Sequence, residues 1–320
     1  MSFTEIPDRP ARLNRSHLSV PASEPRFFDK AAASAADIVM LDLEDSIAPD
    51  RKDAARKSAI AALRDVNWRG KTLSLRVNGL DTVWMYRDLV DVVEQAGDRL
   101  DLLMIPKVGT AADVYALDML VTQIERAKGY KKRLGFELQI ESALGMQNID
   151  AIAASSPRNE SLHFGPGDYA GSIGARTPHI GGAVPDYAVR TDTGETHWGD
   201  PWHYALSRIV VAARANGLRP IDGPYSDFSD ADGFRVAARR AASLGIEGKW
   251  AIHPSQIALA NEVFTPTQSE VERARRIVAA LGEAQRQGHG AVTLEGRMID
   301  AASIRQAQAL LKKAEAAAGL

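Results

Sequence analysis

Eight short apolar runs alternate with longer amphipathic stretches along this chain, and that alternation restricts the fold more than any other feature. The runs are HLSVP (17–21), DIVMLDLED (37–45), TLSLRVNG (72–79), DLLMIPKVG (101–109), LGFELQIES (134–142), SLHFGPGD (161–168), LRPIDGP (218–224) and KWAIHP (249–254). Between most of them lie helical patterns such as RKDAARKSAIAALRDV and ADVYALDMLVTQIERAKG, several opening on Asp or Ser and closing on Gly. Strand–helix alternation implies parallel strands joined by crossover helices. Eight units predict an α/β chain folded as a (β/α)8 TIM barrel, with a doubly wound sheet as the alternative. The runs share a second property: each ends on polar or special residues, among them Glu44 and Asp45, Arg76 and Asn78, Lys107, Glu141, Asp168, Asp222 and His253. In a barrel all of these ends open on one face, where active sites are built.

After NEVFTP the pattern changes. TQSEVERARRIVAALGEAQRQG reads as one long helix, HGAVTLEGRMID as a glycine-punctuated loop with a short strand, and AASIRQAQALLKKAEAAAGL as a final helix. The expected organisation is therefore a catalytic barrel over residues 1–265 and a helical lid or oligomerisation arm over 266–320.

Composition narrows the function. The chain has 320 residues, a formal net charge of −2 and no cysteine. The charge argues against nucleic-acid binding. The missing thiols exclude disulfides, zinc–thiolate sites, iron–sulfur clusters and cysteine nucleophiles. No run of about 18 apolar residues predicts a membrane helix, and the first 17 residues lack an apolar signal core. A cytoplasmic protein with a small-molecule substrate is expected.

Glu141 and Asp168 close the fifth and sixth runs, which are neighbours in a barrel. Two carboxylates from adjacent strand ends suit a hard cation such as Mg²⁺ (or Mn²⁺), which takes oxygen ligands and leaves positions for water and substrate. The plainer alternative is a pair of acids capping helices or paired with Arg and Lys. No His-Glu-x-x-His pattern competes for zinc. Arg76 at a parallel strand tip is unusual, because such strands are buried on both faces. Its fork of donors suits a carboxylate or a developing enolate oxygen, or else a salt bridge to Glu44 or Asp45. Lys107 could form a Schiff base, but carboxylates around it would raise its pKa and disfavour that role. FGPGDYAGSIG is not the dinucleotide fingerprint, since its third glycine falls one residue late; its glycines are expected to clear space around Asp168. There is no G-x-S-x-G elbow. His253 is a candidate acid or base, or a packed strand-end residue.

These pieces resemble the citrate lyase β-subunit/HpcH–HpaI aldolase superfamily, most closely its malyl-CoA lyases. The matching segments are DIVMLDLEDSIAPDRKDAAR, LSLRVNGLDT, LDLLMIPKVG, IESALGMQNI, FGPGDYAGS, RPIDGPYSDFSD, GKWAIHPSQIALANEVFTP and EGRMIDAASIRQAQ. The resemblance implies a Mg²⁺-dependent barrel, trimeric or hexameric, acting on an acyl-CoA thioester and a glyoxylate-type 2-oxoacid. It implies Glu141 and Asp168 as metal ligands, Arg76 as the group holding the acyl-CoA carbonyl or enolate, and Asp300 as an acid/base delivered by the lid of an adjacent subunit. It also implies Ser19, Lys30, Gly167, Ile252 and His253 at the CoA or substrate, and Glu44, Asp45 and Lys107 behind the metal. The sequence departs from the pattern where Glu24 replaces an arginine, Ser19 an aromatic, and GPGD a simpler AAD or PAD. Arg26 is the expected substitute for the lost base.

Overall fold

The computed structural model describes residues 9–319 apart from 178 and 185. The chain divides into two compact units between Asn261 and Glu262.

The first unit is a closed barrel of eight parallel strands. They are β1 (Ser16–Pro21), β2 (Ile38–Asp42), β3 (Thr72–Arg76), β4 (Leu102–Ile105), β5 (Gly135–Ile140), β6 (Asn159–Phe164), β9 (Arg219–Asp222) and β10 (Gly248–Ala251), in the order β1-β10-β9-β6-β5-β4-β3-β2. All eight apolar runs supply one strand each, so the barrel expected from their alternation is the observed fold. Strands such as β2 (IVMLD) are buried at every position, because helices cover the outside and side chains fill the inside. The crossover helices follow the same logic. Lys52–Asp65 buries Ala55, Ala59, Ala62 and Leu63. Ala111–Lys128 opens on a Thr110/Asp113 capping box and stops at Gly129, whose φ of +67° needs no Cβ. Between β6 and β9 the chain inserts an antiparallel hairpin, β7 (Ala188–Arg190) with β8 (Thr196–Trp198), turning at Gly194. The pattern of apolar runs did not reveal it, although its Asp-Thr-Gly turn was a visible signal. Among the described residues no helix is long and apolar enough to cross a membrane.

The second unit consists of the helices Gln268–Arg286 and Ala301–Ala318 joined through a hairpin of β11 (Val292–Leu294) and β12 (Arg297–Ile299). Two strands form where one was expected. Glu295 and Gly296, at φ +51° and +73°, make a turn of the hairpin type that reverses the chain immediately. Leu281, Ala284 and Ile299 form this unit's core.

Candidate active site

The C-terminal ends of the barrel strands enclose a cavity of about 380 Å³ lined by Ser19, Asp42, Asp45, Arg76, Gln139, Glu141, Gly167, Asp168, Trp250 and Ile252, among others. Strand register builds it. Asp42 on β2 sits directly opposite Arg76 on β3, so the guanidinium meets the carboxylate in a two-pronged pair: Nε to Oδ1 at 2.7 Å and Nη2 to Oδ2 at 2.8 Å. Nη1 also lies 2.8 Å from Glu44 Oε2, without the alignment of a hydrogen bond. Burial alone would lower the pKa of Arg76; the Asp42 pair, then Glu44 and Asp45, more than reverse this. The expected partners were Glu44 and Asp45. Asp42 is the principal one, since it is the acid that the ladder places abreast of Arg76.

Glu141 is buried just past β5. Its Oε1 accepts the Lys107 backbone N–H at 2.8 Å and its Oε2 accepts Gln139 Nε2 at 2.6 Å. Burial first, then the charge of Glu44 with a contribution from Asp168, pushes its carboxyl up to about 8, against the opposing pull of Lys107 and Arg76. Gly165 is what lets Glu141 sit there: a Cβ on residue 165 would stand under 3.0 Å from Glu141 Oε2 and Cβ. The glycine was expected to clear space around Asp168 for a ligand; it clears space for the neighbouring carboxylate. Asp168 lies in the first turn of the helix Pro166–Ser172, half exposed to the cavity mouth.

Lys107 ties the acids together. Its ammonium is hydrogen-bonded to Glu44, and it lies 3.5 Å from Asp45 Oδ1 and 3.9 Å from Asp168 Oδ1. Burial lowers its pKa, but Glu44, Glu141 and Asp45 raise it further than that. It is thus a fixed cation rather than an amine nucleophile. Its φ of +52° is a left-handed backbone that costs about 1–2 kcal/mol in an L residue; the N–H bond to Glu141 and the ammonium's bond to Glu44 hold it. Glu44 is buried, and burial together with Asp45 raises its pKa against Arg76 and Lys107.

The oxygen-rich set fits a hard divalent ion. Five carboxylates (Asp42, Glu44, Asp45, Glu141, Asp168) face two cations, Arg76 and Lys107. Two buried acceptors, Glu44 Oε2 and Gln139 Oε1, have no hydrogen-bond partner. A positive charge beside Glu141 would relieve both its burial and its like-charged neighbours. His17, Glu137 and His163, deeper in the barrel, also bring potential ligand atoms within 4.8 Å of one another. They do not suit a metal. His163 Nδ1 accepts the Trp250 indole N–H at 2.8 Å, so the neutral ring carries its proton on Nε2 and has no lone pair left.

The remaining candidates divide. Ser19, Gly167 and Ile252 line the cavity, though the Ile252 amide is already given to Gln256 Oε1 at 2.9 Å. His253 and Lys30 are exposed and are not among the lining residues. His253 stacks on Phe228 with 4.7 Å between ring centroids, and its Nδ1 meets Ser255 Oγ at 2.8 Å, the contacts that the packed strand-end alternative describes. Glu24 is held by Arg26 Nε at 3.1 Å, so the expected substitute base is engaged by the acid it should replace. Asp300 belongs to the second unit, where it caps the helix Ala301–Ala318 by accepting the N–H groups of Ala302 and Ser303 at 2.9 and 3.1 Å. Those bonds hold its carboxyl below the usual range.

Sequence reasoning passed over Gln139, Glu137 and Trp250. Glu137, Gln139 and Glu141 occupy alternate positions of ELQIE, a polar face within an apolar strand, and that period-2 signal could have found them.

A family model described as HpcH/HpaI aldolase/citrate lyase matches residues 15–254. The chain belongs to this family. An L-malyl-CoA/beta-methylmalyl-CoA lyase of Cereibacter sphaeroides is 55% identical over 98% of this chain and 99% of its own. A (3S)-malyl-CoA thioesterase of the same species is 36% identical over 95% of each. Among solved structures, the CitE protein of Mycobacterium tuberculosis in complex with magnesium, acetoacetate and coenzyme A is 28% identical with a TM-score of 0.73, covering 95% of this chain and 99% of that one.

Proposed function

We propose that this protein is a Mg²⁺-dependent carbon–carbon lyase that reversibly cleaves malyl-CoA, and β-methylmalyl-CoA, to glyoxylate and acetyl-CoA or propionyl-CoA. The observation that carries the reading is 55% identity along nearly the whole length of a lyase with that name, in a chain whose oxygen-lined pocket holds Arg76. Glu141 and Asp168 would hold the cation, which when bound supplies Lewis-acid polarisation of the 2-oxoacid oxygens.

The chain's own residues do the rest. In cleavage the hydroxyl proton passes to the Asp300 carboxylate, the C–C bond breaks, and its electron pair passes to the thioester as an enolate. Arg76 is a permanent cation, and three of its five N–H groups face Asp42 and Glu44. Two remain for the enolate oxygen. Lys107 fixes Glu44 and, through its backbone, Glu141, so the acids are positioned before substrate arrives. Asp300, ionised by its capping bonds, takes a proton from the acetyl carbon in condensation and returns it in cleavage. We place it in an adjacent subunit's site, in a trimer or hexamer of a cytoplasmic enzyme. A lid that brings the base also excludes water as the site closes.

The test is purified protein with a panel of 3-hydroxyacyl-CoAs, with and without Mg²⁺, reading 2-oxoacid and free thiol separately. Mg²⁺-dependent glyoxylate without free thiol is expected. Free thiol without glyoxylate would instead make the chain a thioesterase like its 36% identical relative. Trapping by borohydride in EDTA would return the chemistry to Lys107.

A further inference from the structure

A line of buried polar groups runs below the cavity and ends at its working cation. Glu137 on β5 accepts Ser74 Oγ at 2.5 Å, and its Oε1 lies 3.4 Å from His163 Nε2. Ser161 Oγ is 2.8 Å from the same nitrogen and 3.5 Å from Glu137 Oε1. On the other side of the imidazole, Nδ1 accepts the indole N–H of Trp250. Trp250 packs with Met40, Met104 and Ile221 and also lines the cavity. The Arg76 guanidinium lies over its ring, 5.4 Å from the centroid.

The direction of this line is fixed by chemistry. An indole nitrogen can only donate, so His163 Nδ1 must accept and the ring's single proton sits on Nε2, facing Ser161 and Glu137. Buried polar groups of this kind lock one rotamer when every partner is satisfied. Asp42 and Glu44 hold the edges of the guanidinium, which leaves its face to be set. The indole face supplies that second constraint.

We propose that Glu137, His163 and Trp250 form a positioning relay that sets the height and tilt of Arg76 against the substrate's developing negative charge. None of the three touches the reacting atoms through this relay; they act through Arg76. The inference rests on the lyase reading for what Arg76 stabilises, but not for the geometry itself.

The test separates the two nitrogens of His163. His163→Asn places an oxygen where Nδ1 was and keeps an acceptor for the indole, whereas His163→Gln places its polar group near Nε2 and leaves the indole N–H unpaired. Trp250→Phe keeps a ring under Arg76 but removes the N–H. We expect kcat of His163→Asn within about threefold of the unaltered enzyme. His163→Gln and Trp250→Phe should each fall about tenfold or more, with KM for the thioester little changed. The double variant His163→Gln/Trp250→Phe should be no worse than Trp250→Phe alone. The same ranking should appear in the Mg²⁺-dependent affinity for oxalate, a planar dianion, measured by calorimetry. That arm holds even if the unaltered chain cleaves no malyl-CoA, a result that would sink the lyase reading alone. Equal losses in the Asn and Gln variants, or losses that only follow the melting temperature, overturn the relay.

Discussion

Gly165→Ala isolates how closely the carboxylate of Glu141 is seated. The backbone at residue 165 has φ −104°, which alanine adopts freely, so the perturbation is steric alone. The new methyl would stand under 3.0 Å from both Oε2 and Cβ of Glu141, and 3.0 Å from Gln139 Nε2. Carbon atoms pack at roughly 3.5–4.0 Å, so Glu141 must recede by about 1 Å. Overpacking of this size costs about 1–3 kcal/mol of stability, a fall of several degrees in Tm. The larger effect is on chemistry, because a displacement of ~1 Å in a positioned group can cost about 10²-fold in rate. The assay is a Mg²⁺ titration of the cleavage rate beside a thermal melt. We expect a folded protein whose kcat falls by about two orders of magnitude and whose Mg²⁺ requirement shifts to higher concentration. Unchanged kcat and Mg²⁺ response in a folded Gly165→Ala protein would refute Glu141 as the tightly placed ligand.

Three further outcomes are expected. Burial in the barrel lowers the His17 imidazole to about 4, from an ordinary 6.5. The unfolded chain therefore binds the proton first, and stability present above pH 6.5 is lost as pH falls toward 4, on the order of 3 kcal/mol. Denaturant unfolding at pH 7 and 4.5 should show that slope reduced in His17→Asn, and an identical slope would be contrary evidence. Asp300→Asn keeps an acceptor for Ala302 and Ser303 and so should keep its helix while losing most turnover. Mixing it with Arg76→Ala chains should restore part of the activity if two subunits share a site, and activity at the original level in Asp300→Asn would remove the acid/base assignment. Glu24→Arg replaces the acid paired with Arg26. It should lower KM for the CoA thioester severalfold at low salt, and a KM independent of both salt and substitution would separate Glu24 from the CoA phosphates.

Much of the site was legible because parallel strands bury apolar residues throughout, so a charge at a strand end stands out. Glu141, Asp168, Arg76 and Lys107 were found that way, and the structure gathers them around one pocket. For His253 two readings stayed open, acid or base and packed strand-end residue, because the sequence cannot say whether a residue two steps past a strand turns inward or stacks on Phe228. Which side chain presses on Gly165 likewise depends on the strand beside it, here the Glu141 carboxylate.

The order of apolar runs and helical patterns by itself determined the barrel, since eight buried parallel strands with amphipathic crossovers have few other ways to hide their surfaces. It also determined that one end would be charged. Only the tertiary structure decided which charges pair. Register set Asp42 rather than Glu44 abreast of Arg76, and closure of the barrel brought Trp250 from the last strand under a guanidinium from the third. The first contact joins residues 34 positions apart and the second residues on the third and last strands of the barrel, and no local pattern encodes either.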